Sequence, residues 1–246
     1  MSCAGLRATF KRELIGYFAT PIAYVFLAIF LFTIGAFTFY FAAFYEREQA
    51  NLQAFFTWHP WLYLFFIPAI SMRLWAEERK SGTFEVLATL PVPVWQLVLG
   101  KFLAAWLFTL FALVGTLPIW VTVNYLGDPD NGVILASYLG SLLMAGSYLA
   151  IGSCISALTR NQVIAFIVAV LVSFLFTISG TPLVVNLVQG FGSNALVNLI
   201  ASFSFLTNFN DMSRGILEFD SLFFMLSVMA LWLTINTLAL THRNRG

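Results

Sequence analysis

Charge is scarce in this chain. Lysine and arginine total 12 and aspartate and glutamate 11 of 246 residues, so 9% of positions are charged against 60% hydrophobic. Soluble domains carry roughly 25% charged residues, and an ordinary water-facing surface is therefore excluded. Histidine is limited to His59 and His242, which are expected at opposite membrane faces and cannot form one catalytic pair. Cysteine is limited to Cys3 and Cys154, expected far apart in depth, so neither a disulfide nor a metal site is expected. No HExxH or Cys/His cluster appears, and the serines and threonines within apolar runs lack a His or Lys partner, which leaves them to bond helix carbonyls. Of the lysines Lys11, Lys80 and Lys101, none completes GxxxxGK[ST]: Lys80 follows Arg79, and Lys101 precedes Phe102. No P-loop is available for ATP. No acid or base falls at the centre of an apolar run, which argues against ion coupling through carboxylates. Lys101, the deepest charge, is expected to snorkel to the nearer face.

What is present is length of uncharged chain. The gaps between charges run 14–45, 49–72, 102–127, 131–159, 161–210 and 221–242. Each exceeds the roughly 20 residues a helix needs to span hydrocarbon. They are continuous rather than short and alternating, which excludes a transmembrane barrel. The chain is expected to be an all-α polytopic membrane protein, inserted by its first span without a cleavable signal. With the N-terminus inside, ten bases (Arg7, Lys11, Arg12, Arg73, Arg79, Lys80, Lys101, Arg160, Arg243 and Arg245) face the cytoplasm and two (Arg47 and Arg214) do not. The positive-inside rule favours that split.

Residues 4–19 precede the first span. Leu6, Phe10, Leu14 and Phe18 repeat at i, i+4, with Arg7, Lys11 and Arg12 on the remaining face. Such a helix is expected in the cytoplasmic headgroup layer. Spans are expected at about 22–44, 60–76, 96–124, 133–157, from Arg160 to about Gly180, and 219–240. Pro68 is expected to kink the second. The fourth is dense in small residues, from Gly140 to Ser156, which suits either the centre of its own bundle or a subunit interface. The uncharged run 161–210 is long enough for two crossings, but two would place the basic tail outside. Its Asn, Ser and Gly content instead suggests one span followed by an external or re-entrant helical pair over 183–214. The whole chain, 1–246, then reads as one transmembrane domain of six spans.

The most informative segment is 77–95, a charged elbow between the second and third spans. Gly82 can end the helix extending from the second span, Thr83 can cap a short helix with Glu85 in its first turn, and Pro91 and Pro93 can end that helix. A short helix held at both ends to spans can transmit a push.

The order Glu78, Arg79, Gly82, Thr83, Glu85, Leu87, Pro91, followed by Lys101 entering the next span, resembles the type-2 ABC transporter permeases. Phe209, Asp211, Arg214 and Gly215 ahead of the last span give a second match. Compact size and Leu-Pro-Val-Pro-Val-Trp look most like the gliding-motility-associated members, although Pro93 stands where a small hydroxyl residue is common. The resemblance implies the transmembrane subunit of an ATP-driven exporter in a bacterial or archaeal inner membrane, with both termini cytoplasmic. It implies two permease subunits, identical or not, sharing one pathway through the lipid, and separate cytoplasmic ATPase subunits that hold the ATP and Mg. No cofactor, metal, catalytic residue or nucleic-acid partner is expected in the chain itself. Glu77, Glu78, Arg79, Gly82, Thr83, Glu85, Leu87 and Pro91 are expected to couple to the ATPase, and Asn194, Asn198, Asn208, Asp211 and Arg214 to form an external gate. The alternatives are a membrane scaffold whose elbow only docks a partner, or an ion-coupled secondary transporter.

Overall fold

A computed structural model describes residues 4–88, 92–190, 199–216 and 218–243. The elements among them are helical. The apolar runs leave no other option: without water, backbone amides and carbonyls must be paired within the segment.

Helix α1 (Ala4–Ala19) is followed by α2 (Pro21–Ala36), which opens on Pro21 and runs into a π turn at Phe37–Phe41. A short α3 (Gln53–Phe56) precedes α4 (His59–Ser71), α5 (Arg73–Ser81) and α6 (Thr83–Ala88). Then come α7 (Val94–Val114), α8 (Leu117–Leu126), α9 (Asn131–Leu158), α10 (Gln162–Ile178), α11 (Pro182–Gln189), α12 (Phe205–Ser213) and α13 (Phe219–Arg243).

Four segments are long and apolar enough to cross a membrane: Pro21–Arg47, Val94–Leu126, Asn131–Leu158 and Phe219–His242. A fifth counts if α10 and α11, bent by 74° at Gly180–Thr181, are one broken span. The remaining expected span divides at Met72, where the apolar α4 gives way to the charged α5. The expected third span is likewise two helices, α7 and α8. Its break lies at Gly115–Thr116, just before Pro118, which has no amide to continue the ladder. The bend after α10 falls at the expected Gly180-Thr181-Pro182. Within the expected segment 183–214, the short helix α12 packs on α9, α10 and α13, with Phe205, Phe209 and Met212 buried.

The centre of the molecule is α9. It packs against α4, α5, α7, α10, α12 and α13. Its small residues therefore serve its own bundle. Asp130 starts it, accepting from the amides of Gly132 and Val133 at 2.9 and 3.3 Å. Between helices in lipid the driving force is close packing rather than release of water. At Gly152 the approach is so tight that a Cβ would collide with the Ser71 hydroxyl and lie 2.8 Å from the Ser71 Cβ.

Helix α1 turns one face to the bundle. Leu6, Thr9, Phe10, Glu13, Tyr17 and Phe18 turn inward, and the helix packs along α7, with Thr9 set against Gly100 and Tyr17 stacked on Phe108. Arg7, Lys11 and Arg12 face outward, as the spacing of the bases requires.

Candidate functional site: the coupling elbow

The elbow begins with a problem of backbone chemistry. The first amides of any helix lack partners within it, and Met72, at the N-cap of α5, has no side-chain oxygen to offer. The partner comes from α9. The Ser156 hydroxyl accepts from the amides of Trp75 and Ala76 at 3.1 and 3.0 Å and donates to the Met72 carbonyl at 2.8 Å. Helix α5 returns the favour at the same C-terminal turn of α9: the Arg79 guanidinium donates to the Ala157 carbonyl, one of the last carbonyls of that helix. Each helix thus caps a terminus of the other. Ser153, one turn back on α9, accepts from Trp75 Nε1 at 3.2 Å and from Asn236 Nδ2 on α13 at 2.9 Å.

A second attachment is ionic. Lys101 of α7 does not snorkel. Its side chain is 3% exposed, and its ammonium donates to Glu78 Oε1 at 2.8 Å and Glu13 Oε1 at 3.1 Å, 5.1 Å from the Trp75 ring centroid. A buried ammonium costs several kcal/mol unless paired, and the two carboxylates supply the pair. Burial by itself would raise the pKa of Glu13, but Lys101, followed by Arg12, holds it below its ordinary value. Arg12 adds contacts of 2.6 Å to Glu13 and 3.6 Å to Glu78. Burial pushes the Tyr17 hydroxyl, one turn along α1, above its usual pKa.

The helix end follows the expected chemistry. Gly82 has φ +75°, the left-handed conformation that glycine adopts without strain. Thr83 adds a link at the start of α6: its hydroxyl donates to the Glu78 carbonyl at 3.3 Å and lies 2.9 Å from Ser81 Oγ. Pro93 is extended and precedes α7.

The expected coupling residues therefore separate into two groups. Glu78, Arg79 and Leu87 point inward and hold the elbow to the bundle. Glu77, Gly82 and Thr83 are exposed, together with Lys80 and Ser81; Glu77 pairs with Arg73 one turn back at 3.1 Å. The Glu85 side chain and Pro91 lie outside the described residues. Sequence reasoning missed Glu13, Trp75, Ser153, Ser156 and Asn236. Two signals point toward some of them: Met72 cannot cap the helix it begins, and Glu13 is the one acid on the inward face of a basic helix.

Of the expected gate residues, Asn208, Asp211 and Arg214 are among the described residues. Asn194 and Asn198 lie outside the described residues. Asn208 donates back to the Ser204 carbonyl of its own helix at 2.7 Å. The Asp211 carbonyl accepts from the amides of Arg214 and Ile216 in the turn after α12. Arg214 lines a cavity of about 300 Å³ with Asn51, Gln53 and Asp130. That cavity lies at the first turn of α9, and the elbow at its last. The 28 residues between put the two about 42 Å apart. Among the described residues, no group of three His, Cys, Asp or Glu side chains is placed to hold a metal ion.

A bundle of membrane-crossing helices with a charged elbow clasped to its central helix defines the membrane half of a transport machine. Residues 41–240 match the family described as ABC-2 family transporter protein, and the chain belongs to that family. It is the transmembrane subunit of an ABC transporter, and the family's partner is an ABC ATPase subunit. No curated protein matches the chain.

Proposed function

We propose that this chain is the permease of an exporter, in which a separate ATPase pushes on the exposed face of α5 and α6. The observation that carries this reading is the double attachment of α5. Its outer face offers Glu77, Lys80 and Ser81, continued by Thr83 at the start of α6, while its inner face is capped to α9 by Ser156 and Arg79 and tied to α7 and α1 through Lys101. A displacement of α5 must then be delivered to three helices together, because yielding at any joint would leave buried amides or a buried charge without a partner. From α9 the motion reaches α13 through Ser153–Asn236 and through Ser147, which donates to the Met225 carbonyl at 3.2 Å.

In this reading the chain makes six crossings, α4 with α5 supplying the sixth, and sits in a bacterial or archaeal inner membrane with both termini cytoplasmic. Two copies, or this chain and a related one, enclose the pathway. ATP and Mg bind to the partner, and this chain contributes no catalytic residue. The 27 phenylalanines and uncharged interior favour amphipathic cargo moved outward.

The test is co-purification with the cognate ATPase and nucleotide binding by each component. The expected result is a stable complex in which only the ATPase binds ATP. Nucleotide binding by the isolated permease, or no association at any ratio, would overturn the reading. Exchanging the exposed charges, Glu77→Lys with Lys80→Glu, is expected to weaken association at least about tenfold by reversing charge complementarity across the contact.

A further inference from the structure

A cavity of about 370 Å³ opens beside the charged cluster, among α1, α2, α4, α5 and α7. That volume lies in the range of small-molecule sites, roughly 300–1,000 Å³. Phe26, Ile70 and Phe108 contribute an apolar side, while Arg12, Arg73 and Glu78 contribute a charged one. The cavity is thus amphipathic.

Its charges select among ligands. Arg12, Arg73 and Lys101 are balanced by Glu13, Glu77 and Glu78, so the lining is neutral as a whole but strongly divided. A net anion or cation would upset that balance, whereas a zwitterion would not. Glu78 sets the polarity. Its Oε1 already holds Lys101, but its Oε2 is buried without a hydrogen-bond partner among the described residues. A buried carboxylate oxygen in that position calls for a donor. Arg12 Nη2 lies 3.6 Å from Glu78 Oε1, so cationic and anionic ends of the site are separated by little more than one hydrogen bond. Arg12 and Arg73 both remain partly exposed.

We propose that this cavity binds a phospholipid with a primary-ammonium headgroup. The ammonium donates to the partly exposed Glu78 carboxylate, the phosphate meets Arg12 and Arg73, and the first methylenes of an acyl chain lie along Phe26, Ile70 and Phe108. The two-carbon spacer of ethanolamine suits the short separation between the arginines and Glu78. A quaternary choline cannot donate the hydrogen bond Glu78 needs, and a glycerol headgroup brings an uncompensated negative charge. The proposal rests on the chain being a membrane protein and is independent of its coupling to an ATPase.

The full-length chain in nanodiscs of equal phosphatidylethanolamine, phosphatidylcholine and phosphatidylglycerol, extracted into mild detergent, provides the test by native mass spectrometry. We expect retained phosphatidylethanolamine to exceed each of the others about tenfold, the discrimination that one charge-assisted hydrogen bond can supply. Ile70→Trp, which fills the apolar wall, and Glu78→Gln, which removes the charge that takes the ammonium, should each remove the preference. Glu78→Gln keeps the test decisive if the tryptophan variant fails to fold, because Glu13 still neutralises Lys101. Equal retention of the three lipids would overturn the proposal, as would a preference unchanged in the Glu78→Gln protein. Complete displacement by chain-free glycerophosphoethanolamine at millimolar concentration would assign the cavity to a soluble zwitterion and remove the lipid.

Discussion

At the scale of single residues, Lys101 carries the sharpest consequence. Two carboxylates share one buried ammonium, so either can neutralise it alone. Glu13→Gln and Glu78→Gln should each be tolerated. The double substitution leaves the charge uncompensated and should cost about 3–5 kcal/mol, more than twice either single change, in thermal unfolding of the detergent-solubilised chain. The pH dependence has a definite sign. The pKa of Glu13 is lower in the folded chain, so its stabilisation is complete above its ordinary pKa and is lost as pH falls through the folded value. The protection of α1 amides from hydrogen exchange, relative to the unstructured rate at the same pH, should therefore fall below about pH 4.5, the ordinary value, and this acid sensitivity should be reduced in Glu13→Gln.

At the scale of elements, the joint between α5 and α9 decides whether the elbow is a lever or a loose loop. Ser156→Ala deprives two amides of their acceptor and one carbonyl of its donor. The expected cost is about 1–3 kcal/mol, concentrated at α5. The partner ATPase should still bind the exposed face, while its stimulation by the permease falls. Binding and stimulation falling together would instead mean that Ser156 only maintains the fold. Such a joint was not legible in the sequence. Ser156 is one of many small residues on α9, and its partners lie 80 and 81 positions away. Gly82, by contrast, was legible because the end of a helix is decided locally.

At the scale of the whole molecule, charge is sorted by end. Arg79 reaches the last turn of α9, beside Arg160, and Arg12, Arg73 and Lys101 gather around the elbow. Arg214 and Asp130 lie at the first turn of α9. Single cysteines at Asp130 and Asp211 should react with an impermeant thiol reagent in intact cells, while those at Lys80, Arg160 and Arg245 should not. Labelling at position 245 from outside would remove the six-crossing topology.

The sequence by itself determined the class of protein, the sorting of its charges and the place of its elbow. Those depend on composition, on the length of apolar runs and on glycine and proline, all of which act locally. It did not determine that α9 is the centre, that α7 and α8 part at Gly115, that α12 joins the bundle, or which side of α5 faces inward. In water a hydrophobic stripe marks the buried face of a helix. In lipid the exposed face is as apolar as the core, so pattern alone does not distinguish a packed surface from a lipid-facing one. The partners of Lys101 and Ser156 were decided only when the tertiary structure brought distant helices together and their buried charge and unpaired amides had to be satisfied.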